Sequence, residues 1–349
     1  MMMRKRILVA MSGGVDSSIA AALLLKQGME VEGVTLKLTP GLCCDIGSAQ
    51  EVCECLRIPH ATVDMREEFS QSIIGNFISE YQHGRTPNPC IRCNEFVKFH
   101  LLLQYARMNN FDFIATGHYA RIEQDSLSSR FLLKKGIDPG KDQSYFLYRL
   151  SQEQMQCALF PLGAMHKTEV RSLANELGLP VAKRPESQEI CFVPNNDYRA
   201  FLKEHAPEVY QPGDMVLTDG TVVGKHEGIA FFTIGQRRKL GYAAGERVYV
   251  VRIDPADHRI VLGNISELRT VEMVVSSVHF IPFDTLETRM NIMVKIRYRS
   301  PLVPAALEPL NTDRVRVIFG QAVLGVCPGQ AAVFYDGDTI VGGGIIEIE

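Results

Sequence analysis

Two stretches of the chain hold residues whose types and spacing could do chemistry. The first is Ser12-Gly13-Gly14-Val15-Asp16-Ser17-Ser18, which comes after an apolar run from Ile7 to Met11 and leads into an apolar-periodic segment that stops at Gly28. Gly13 and Gly14 can take backbone angles closed to other residues and let a ligand approach the main chain. The exposed amides that open the next helix, with its dipole, favour an anion, and three serines add hydroxyl donors. The pattern predicts a phosphate cradle at a strand-to-helix turn. It is not the Walker pattern, which places a lysine before the Ser/Thr, and it is not the dinucleotide fingerprint. The plainer alternative is a tight turn capped by Asp16 or Ser17.

The second stretch is Gly84-Arg-Thr-Pro-Asn-Pro-Cys-Ile-Arg-Cys-Asn94. Pro87 and Pro89 fix two backbone angles and bias their predecessors away from helix, so Cys90 and Cys93 are expected on a stiffened loop ahead of a helix beginning near Glu95. A thiol near a helix N-terminus has its thiolate favoured, and Arg92 would add to this. Cys93 is therefore a candidate nucleophile. A Cys-x-x-Cys pair is also half of a zinc site or a redox motif, but zinc needs two more ligands, and a thioredoxin motif comes directly after a strand. Cys191, between Ile190 and Phe192, reads by itself as a small buried hydrophobe.

The elements that must position these residues show one change of texture. Up to about residue 180 short apolar strands alternate with helical patterns: Ile7–Met11, a helix over Ser17–Gln27, Val31–Leu38, a helix over Gly47–Leu56, Ala61–Val63, helices over Glu68–Tyr81 and Lys98–Met108, Phe113–Ala115, and a last strong helix over Lys167–Leu177. That alternation predicts an α/β doubly wound parallel sheet with helices on both faces. After about residue 210 come short β-type runs, Ala230–Ile234, Arg247–Ile253, Met290–Tyr298, Val315–Phe319 and Ala331–Tyr335, separated by Gly, Pro, Asp and Asn. They predict a small mostly-β central domain and a β-barrel.

A length of 349 residues suits two or three domains, and 46% hydrophobic with 22% charged residues is globular composition. No apolar run reaches the length of a bilayer span, and Met1 to Arg6 lacks a signal-peptide core, so a cytoplasmic protein without membrane contact is expected. Nine cysteines in such a chain argue for thiol or metal chemistry over a disulfide scaffold. The net charge of −3 sets up no general attraction for nucleic acid. Any such binding has to use local clusters such as Arg237-Arg238-Lys239 or Lys295, Arg297 and Arg299.

The string Ser-Gly-Gly-x-Asp-Ser resembles the PP-loop of ATP pyrophosphatases, which adenylate a substrate oxygen and release pyrophosphate. Taken in order, SGGVDSS, GRTPNPCIRCN, ATGHYAR, KDQSYFL, ICF, IGQRRKLG, KIRYRSP and PGQAAVFY resemble the tRNA-specific 2-thiouridylase family over essentially the whole chain. The resemblance implies a PP-loop catalytic domain over 1–205, a central domain over 206–268 and a tRNA-contacting barrel over 269–349. It implies ATP-dependent activation of C2 of the wobble uridine 34 of tRNA, and replacement of that oxygen by sulfur carried as a cysteine persulfide. ATP and Mg²⁺ are the implied cofactors; tRNA and a sulfur donor, such as a cysteine desulfurase or a relay protein, are the implied partners.

Residue by residue, the resemblance places ATP against Ala10, Met11, Ser12, Gly13, Gly14, Val15, Asp16 and Ser17, with Leu36 and Gly117 lining the adenosine pocket. It makes Cys191 the persulfide carrier and Cys93 the second cysteine, which releases the sulfur. Asn88, Pro89 and Cys90 would frame the target base. His118, Lys141, Asp142, Gln143, Arg297, Tyr298 and Gln330 would touch tRNA. Two departures stand out: Cys90 replaces the Asp that many members carry after Pro-Asn-Pro, and Glu-Ser-Gln-Glu precedes Ile190-Cys191 where Asp-Ser-Thr-Gly is more usual. With Cys43-Cys44 also present, some of Cys44, Cys90, Cys93 and Cys191 are expected as alternative iron–sulfur ligands. The rival functions are a different PP-loop ligase and a metal-dependent RNA-binding protein.

Overall fold

The computed structural model describes residues 4–39, 45–185, 190–242 and 247–347. The chain divides into two compact units, one built from residues 1–73, 90–192 and 337–341 and the other from 74–89, 193–336 and 342–349.

The first unit holds a five-stranded parallel sheet. Its strands are β1 (Arg6–Ala10), β2 (Glu30–Lys37), β3 (His60–Asp64), β4 (Phe113–Ala115) and β7 (Ala158–Leu159), in the order β3-β2-β1-β4-β7. The hairpin β5 (Ala120–Gln124) and β6 (Phe131–Lys135) lies between β4 and β7 in sequence and pairs through Lys134 with Thr339. Helix α1 (Val15–Lys26) comes after β1, and α2 (Ile46–Leu56) after β2. Helix α1 is buried on most of its circumference, and its Ser17, Ser18, Ala20 and Ala21 are small enough for close approach to the sheet. Ile7, Val9 and Val31 of the sheet, Ile19 and Leu24 of α1, Val52 of α2 and Val170 of the helix Lys167–Glu176 form one apolar core. Each such side chain contributes on the order of 1.5–3 kcal/mol by leaving water.

Residues 66–82 are helical with a wider π turn at Ser70–Ile74. Residues 89–108 form another continuous helix: an α turn at Pro89–Arg92, a π stretch at Cys93–Leu101 and an α segment at Leu102–Met108. This helix starts at Pro89 and not near Glu95, so Cys90 and Cys93 lie inside it and not on a loop ahead of it. Proline is pre-organised for the first helical position, where its missing N–H costs nothing.

In the second unit, β8 (Gly213–Leu217), β9 (Val222–His226), β10 (Tyr249–Asp254) and β11 (Arg259–Gly263) form a sheet in the order β10-β11-β8-β9. The barrel strands are β12 (Arg269–Phe280), β13 (Met290–Lys295), β14 (Val303–Pro309), β15 (Val315–Leu324), β16 (Ala331–Asp336) and β17 (Thr339–Ile346). They run β12-β15-β14-β13-β16-β17, and pairing of β12 with β17 closes the ring. Val275, Val294, Leu307, Val317, Phe334 and Ile346, one from each strand, are fully buried. The expected strand Ala230–Ile234 is instead a short 3₁₀ turn, Ile229–Phe231, whose apolar residues are buried without a ladder. Strand β13 ends at Lys295, so Lys295, Arg297 and Arg299 do not share one strand face. Among the described residues no helix is long and apolar enough to cross a membrane.

Ile19 has no exposed surface and lies at the centre of the first core. Ile19→Ala is expected to lower the unfolding free energy by about 2–5 kcal/mol, as large-to-small core changes do. Urea titration against the parent protein checks it.

Candidate active site

The order β3-β2-β1-β4-β7 reverses direction between β1 and β4, and such a switch point opens a crevice beyond the carboxyl ends of the strands. The loop after β1 and the loop after β4 both enter it. A cavity of about 220 Å³ lies there, and Ala10, Met11, Ser12, Asp16, Ser17, Leu36 and Gly117 all line it, with Lys98, Thr116, His118 and Gln143 completing the wall. Gly13, Gly14 and Val15 complete the loop behind these residues.

The loop holds its shape with its own polar groups. Ser17 Oγ accepts from the Ser12 amide at 3.2 Å and donates to the Gly14 carbonyl at 3.1 Å, and Ser18 Oγ donates to the same carbonyl at 2.8 Å. The N-cap of α1 is Gly14, which makes no side-chain cap bond. Asp16 and Ser17 therefore do not cap the helix, and its first amides face the side where an anion would sit. Gly13 has φ +76°, and a Cβ there would stand 2.6 Å from the Asp45 carbonyl. Arg184 braces the same point, donating to the Gly13 carbonyl at 3.0 Å and pairing with Asp45 at 2.8 Å. Asp45 also caps α2 through the Ser48 amide; its bonds to Ser48 and then to Arg184 hold its carboxyl below the usual range.

Gly117 makes a second close backbone approach. A Cβ on it would lie 2.7 Å from Asp16 C and from Ser17 N, both main-chain atoms that cannot move aside. Next to it His118 is buried, with Nδ1 2.7 Å from Thr116 Oγ1. Burial, with the Lys98 charge adding to it, pushes the His118 pKa well below the ordinary value of 6.5. His118 therefore faces the cavity as a neutral imidazole.

The cysteines fall into distinct environments. Cys93 is buried, while Cys90 and Cys191 are exposed; the described cysteines are all free thiols. Protein packed around the Cys90 sulfur pushes its pKa up to about 11, with Lys98 opposing the rise and Cys191 adding to it. Lys98 thus lines the nucleotide cavity and acts on Cys90 from the same helix that carries Cys93. The π stretch from Cys93 to Leu101, in which Leu102 N–H bonds Val97 O, is the kind of widened turn found at functional sites. Arg92 Nε donates to the Ser72 carbonyl at 2.7 Å. Among the described residues no three His, Cys, Asp or Glu side chains are grouped to hold a metal ion. Cys90, Cys93 and Cys191 therefore do not form a cluster-binding set, and Cys44 lies outside the described residues.

The residues expected to meet tRNA are placed as described next to their own partners. Asp142 turns inward and accepts from the Gly136 and Ser144 amides, each at 3.1 Å, while Gln143 Oε1 accepts from the Tyr119 amide at 3.0 Å. Lys141 beside them is partly exposed. In the second unit, Gln330 Nε2 donates to the carbonyls of Thr86 at 2.8 Å and Pro87 at 3.3 Å, which holds the segment that continues into Asn88 and Pro89. Arg297 Nη2 donates to the Gly325 carbonyl at 2.9 Å and the Ile234 carbonyl at 3.2 Å. Any contact these two side chains make with RNA has to use their other atoms. Tyr298 is partly exposed next to Arg297, and Arg237, Arg238 and Lys239 form an exposed turn. Lys98, Lys167 and Arg184, which complete the site, are invisible to motif reading because each reaches it from a distant element, while Tyr119 stands within ATGHYAR.

A glycine-serine anion loop at the switch point of a parallel sheet, with thiols on a helix that also lines the cavity, defines a nucleotide-binding α/β enzyme of the PP-loop class. Comparisons with known proteins narrow this. The tRNA methyl transferase HUP domain matches residues 5–195, the tRNA methyl transferase PRC-barrel domain residues 199–264 and the aminomethyltransferase beta-barrel domain residues 270–346. A tRNA-specific 2-thiouridylase MnmA of Acetivibrio thermocellus is 46% identical, covering 99% of this chain and 100% of its own. That of Clostridioides difficile is 43% identical, covering 99% of each. A solved NMN synthetase structure from Francisella tularensis covers 53% of this chain and 66% of its own at 19% identity and a TM-score of 0.34, too loose to carry an argument. The chain belongs to the tRNA-specific 2-thiouridylase family.

Two outcomes are expected at this site. Gly117→Ala should leave the sheet folded but push the loop out of place, weakening binding of an ATP analogue by more than tenfold, about 1.4 kcal/mol or more; calorimetric titration reads this. His118 is protonated in the unfolded chain below pH 6.5 but stays neutral when folded. The unfolded state then binds more protons, so the His118 contribution is complete above pH 6.5 and is lost as the pH falls. Urea titrations at pH 7.5, 6.0 and 5.0 should show a shallower acid loss for His118→Gln, by up to about 1.4 kcal/mol per pH unit.

Proposed function

We infer that the chain is an ATP-dependent tRNA-uridine 2-sulfurtransferase that makes 2-thiouridine at position 34. The observation that carries this reading is the sharing of one helix by two sites: Lys98 lines the nucleotide cavity while Cys90 and Cys93 lie on the same helix. A ligase that only adenylates needs no thiols there. The methyl-transfer wording of the family models finds no counterpart in this loop, whereas phosphate binding and thiols both serve thiolation.

In the proposed reaction the C2 oxygen of uridine attacks the α-phosphorus of ATP, the α–β bond breaks and pyrophosphate leaves. The loop from Ala10 to Ser17 binds the phosphates, and Leu36 and Gly117 bound the adenosine. Asp16, the one carboxylate lining the cavity, would hold Mg²⁺, which neutralises the departing pyrophosphate when bound. A base attacked at C2 has to leave its stack, and Asn88, Pro89 and Cys90 are proposed to frame it.

The outer sulfur of a Cys191 persulfide then attacks C2, and AMP leaves with the former C2 oxygen. AMP is a far better leaving group than oxide, and the persulfide is a competent nucleophile at neutral pH. The Cys93 thiolate attacks the Cys191 sulfur, releasing the 2-thiocarbonyl and leaving a Cys93–Cys191 disulfide for an external thiol to reduce. Cys90, held protonated by its surroundings, takes no part as a nucleophile.

We further propose domain limits near residues 205 and 268, and tRNA contacts from Lys141, Asp142, Gln143, Arg297, Tyr298 and Gln330. The sulfur donor is a cysteine desulfurase or a relay protein that delivers a persulfide to exposed Cys191. The cytoplasm, where the tRNA substrate is found, is the proposed location.

Incubation with ATP and unmodified tRNA tests the reading. AMP and pyrophosphate are the expected products, and ADP would contradict it. Cys93→Ser and Cys191→Ser should keep tRNA-dependent pyrophosphate release while losing 2-thiouridine, as nucleoside analysis of the tRNA would show. Full thiolation by either variant would remove that cysteine from the sulfur route.

A further inference from the structure

The anion loop has an electrostatic difficulty that its motif does not reveal. Asp16 lines the cavity meant for a polyphosphate, and the loop from Ala10 to Ser17 carries no cation of its own. A bare carboxylate there would repel the ligand. The structure answers with a residue from far along the chain. Lys167 Nζ lies 2.7 Å from both Asp16 carboxylate oxygens, and the Tyr119 hydroxyl donates to Oδ1 at 2.7 Å.

Lys167 is only 7% exposed, yet it sits in the first turn of its helix, where lysine has no dipole advantage. Its main chain is firmly tied down. The Lys167 amide donates to Asp138 Oδ2 at 2.9 Å, and the amide of His166 donates to Glu169 Oε2 at 2.6 Å. A nearly buried ammonium needs a paired charge to be tolerated. What is fixed is thus the base of a flexible four-carbon stem whose charge has been brought to the rim of the cavity.

We propose that Lys167 is the phosphate-site lysine that this loop lacks in sequence: it neutralises Asp16 in the nucleotide-free site and turns to the polyphosphate when Asp16 takes up the divalent ion. This rests on the PP-loop reading of the cavity and extends it to a residue outside every motif. Lysine and metal ion compete for one carboxylate, so the metal frees the ammonium at the moment the phosphates need it. The loop also stays neutral when empty. Tyr119, with Lys167 Nζ 5.8 Å from its ring centroid, keeps one carboxylate oxygen oriented through the exchange.

The test is calorimetric titration with α,β-methylene-ATP, which cannot be cleaved at the bond in question, in excess Mg²⁺ and in chelator, and separately with Mn²⁺ alone. Lys167→Gln is expected to bind the nucleotide analogue about tenfold more weakly in both conditions, the effect of one lost charge-assisted contact. Lys167→Arg should recover part of this. Lys167→Gln should also bind Mn²⁺ more tightly than the parent, because Asp16 has lost its competitor; a purely structural pair would give that gain too, so the accompanying loss of nucleotide affinity is what marks a phosphate role. Asp16→Asn should lose only the metal-dependent part of the nucleotide affinity. If Lys167→Gln does not fold, the neutral pair Asp16→Asn with Lys167→Gln is compared with Asp16→Asn alone, and the same loss is expected. Nucleotide affinity unchanged by removal of the lysine overturns the proposal. No tRNA is present, so failure here leaves the sulfur-transfer reading standing, and failure of thiolation leaves this result intact.

Discussion

The close approach of two backbones at the switch point of the parallel sheet is the constraint on which the rest of the site depends. Where β1 and β4 send their connections to opposite faces, a crevice opens, and Gly117 closes one wall of it against the main chain of Asp16 and Ser17. No side chain fits between them. This contact sets the height of the anion loop above the strand ends, and the Ser12, Ser17 and Gly14 bonds then set its curvature. Arg184 and Asp45 secure the far side through Gly13.

On that frame the site separates two kinds of charge. Backbone amides and the Asp16–Lys167 pair lie at the loop, while Lys98 acts on Cys90 from within the cavity wall. His118 between them is kept neutral by burial, so it can take part in hydrogen bonding without adding a third charge. Cys90 shows why position within a helix turn does not by itself make a thiolate: packing around the sulfur outweighs the lysine and keeps the thiol protonated.

Side chains from the barrel region hold backbone carbonyls elsewhere in the second unit. Gln330, reached by a turn near the end of the chain, holds the two carbonyls of Thr86 and Pro87 just ahead of the Pro-Asn-Pro motif, and Arg297 ties together two carbonyls from distant turns. The family resemblance implies tRNA contact for both residues, and local sequence shows nothing of the carbonyls they hold. Their bonds to backbone carbonyls come from elements far apart in the chain, which no local pattern encodes.

Local rules determined a good deal of this protein from its sequence. The glycine-serine loop, the alternation of strands and helices around it and the closed β-rich region all arise from backbone freedom and from which face of each element is apolar. The α2 helix is legible in the same way, from its apolar spacing. Spacing places the start of the helix at Cys90 more than a turn too late, because Pro89 both ends the extended segment before it and opens the helix after it, and a local pattern cannot choose between the two. Only the tertiary structure decided that Lys167 meets Asp16, that Arg92 bonds the Ser72 carbonyl and that packing raises the Cys90 pKa. Those outcomes depend on distances between segments far apart in the chain and on how much water packing removes, and both quantities exist only once the chain is folded.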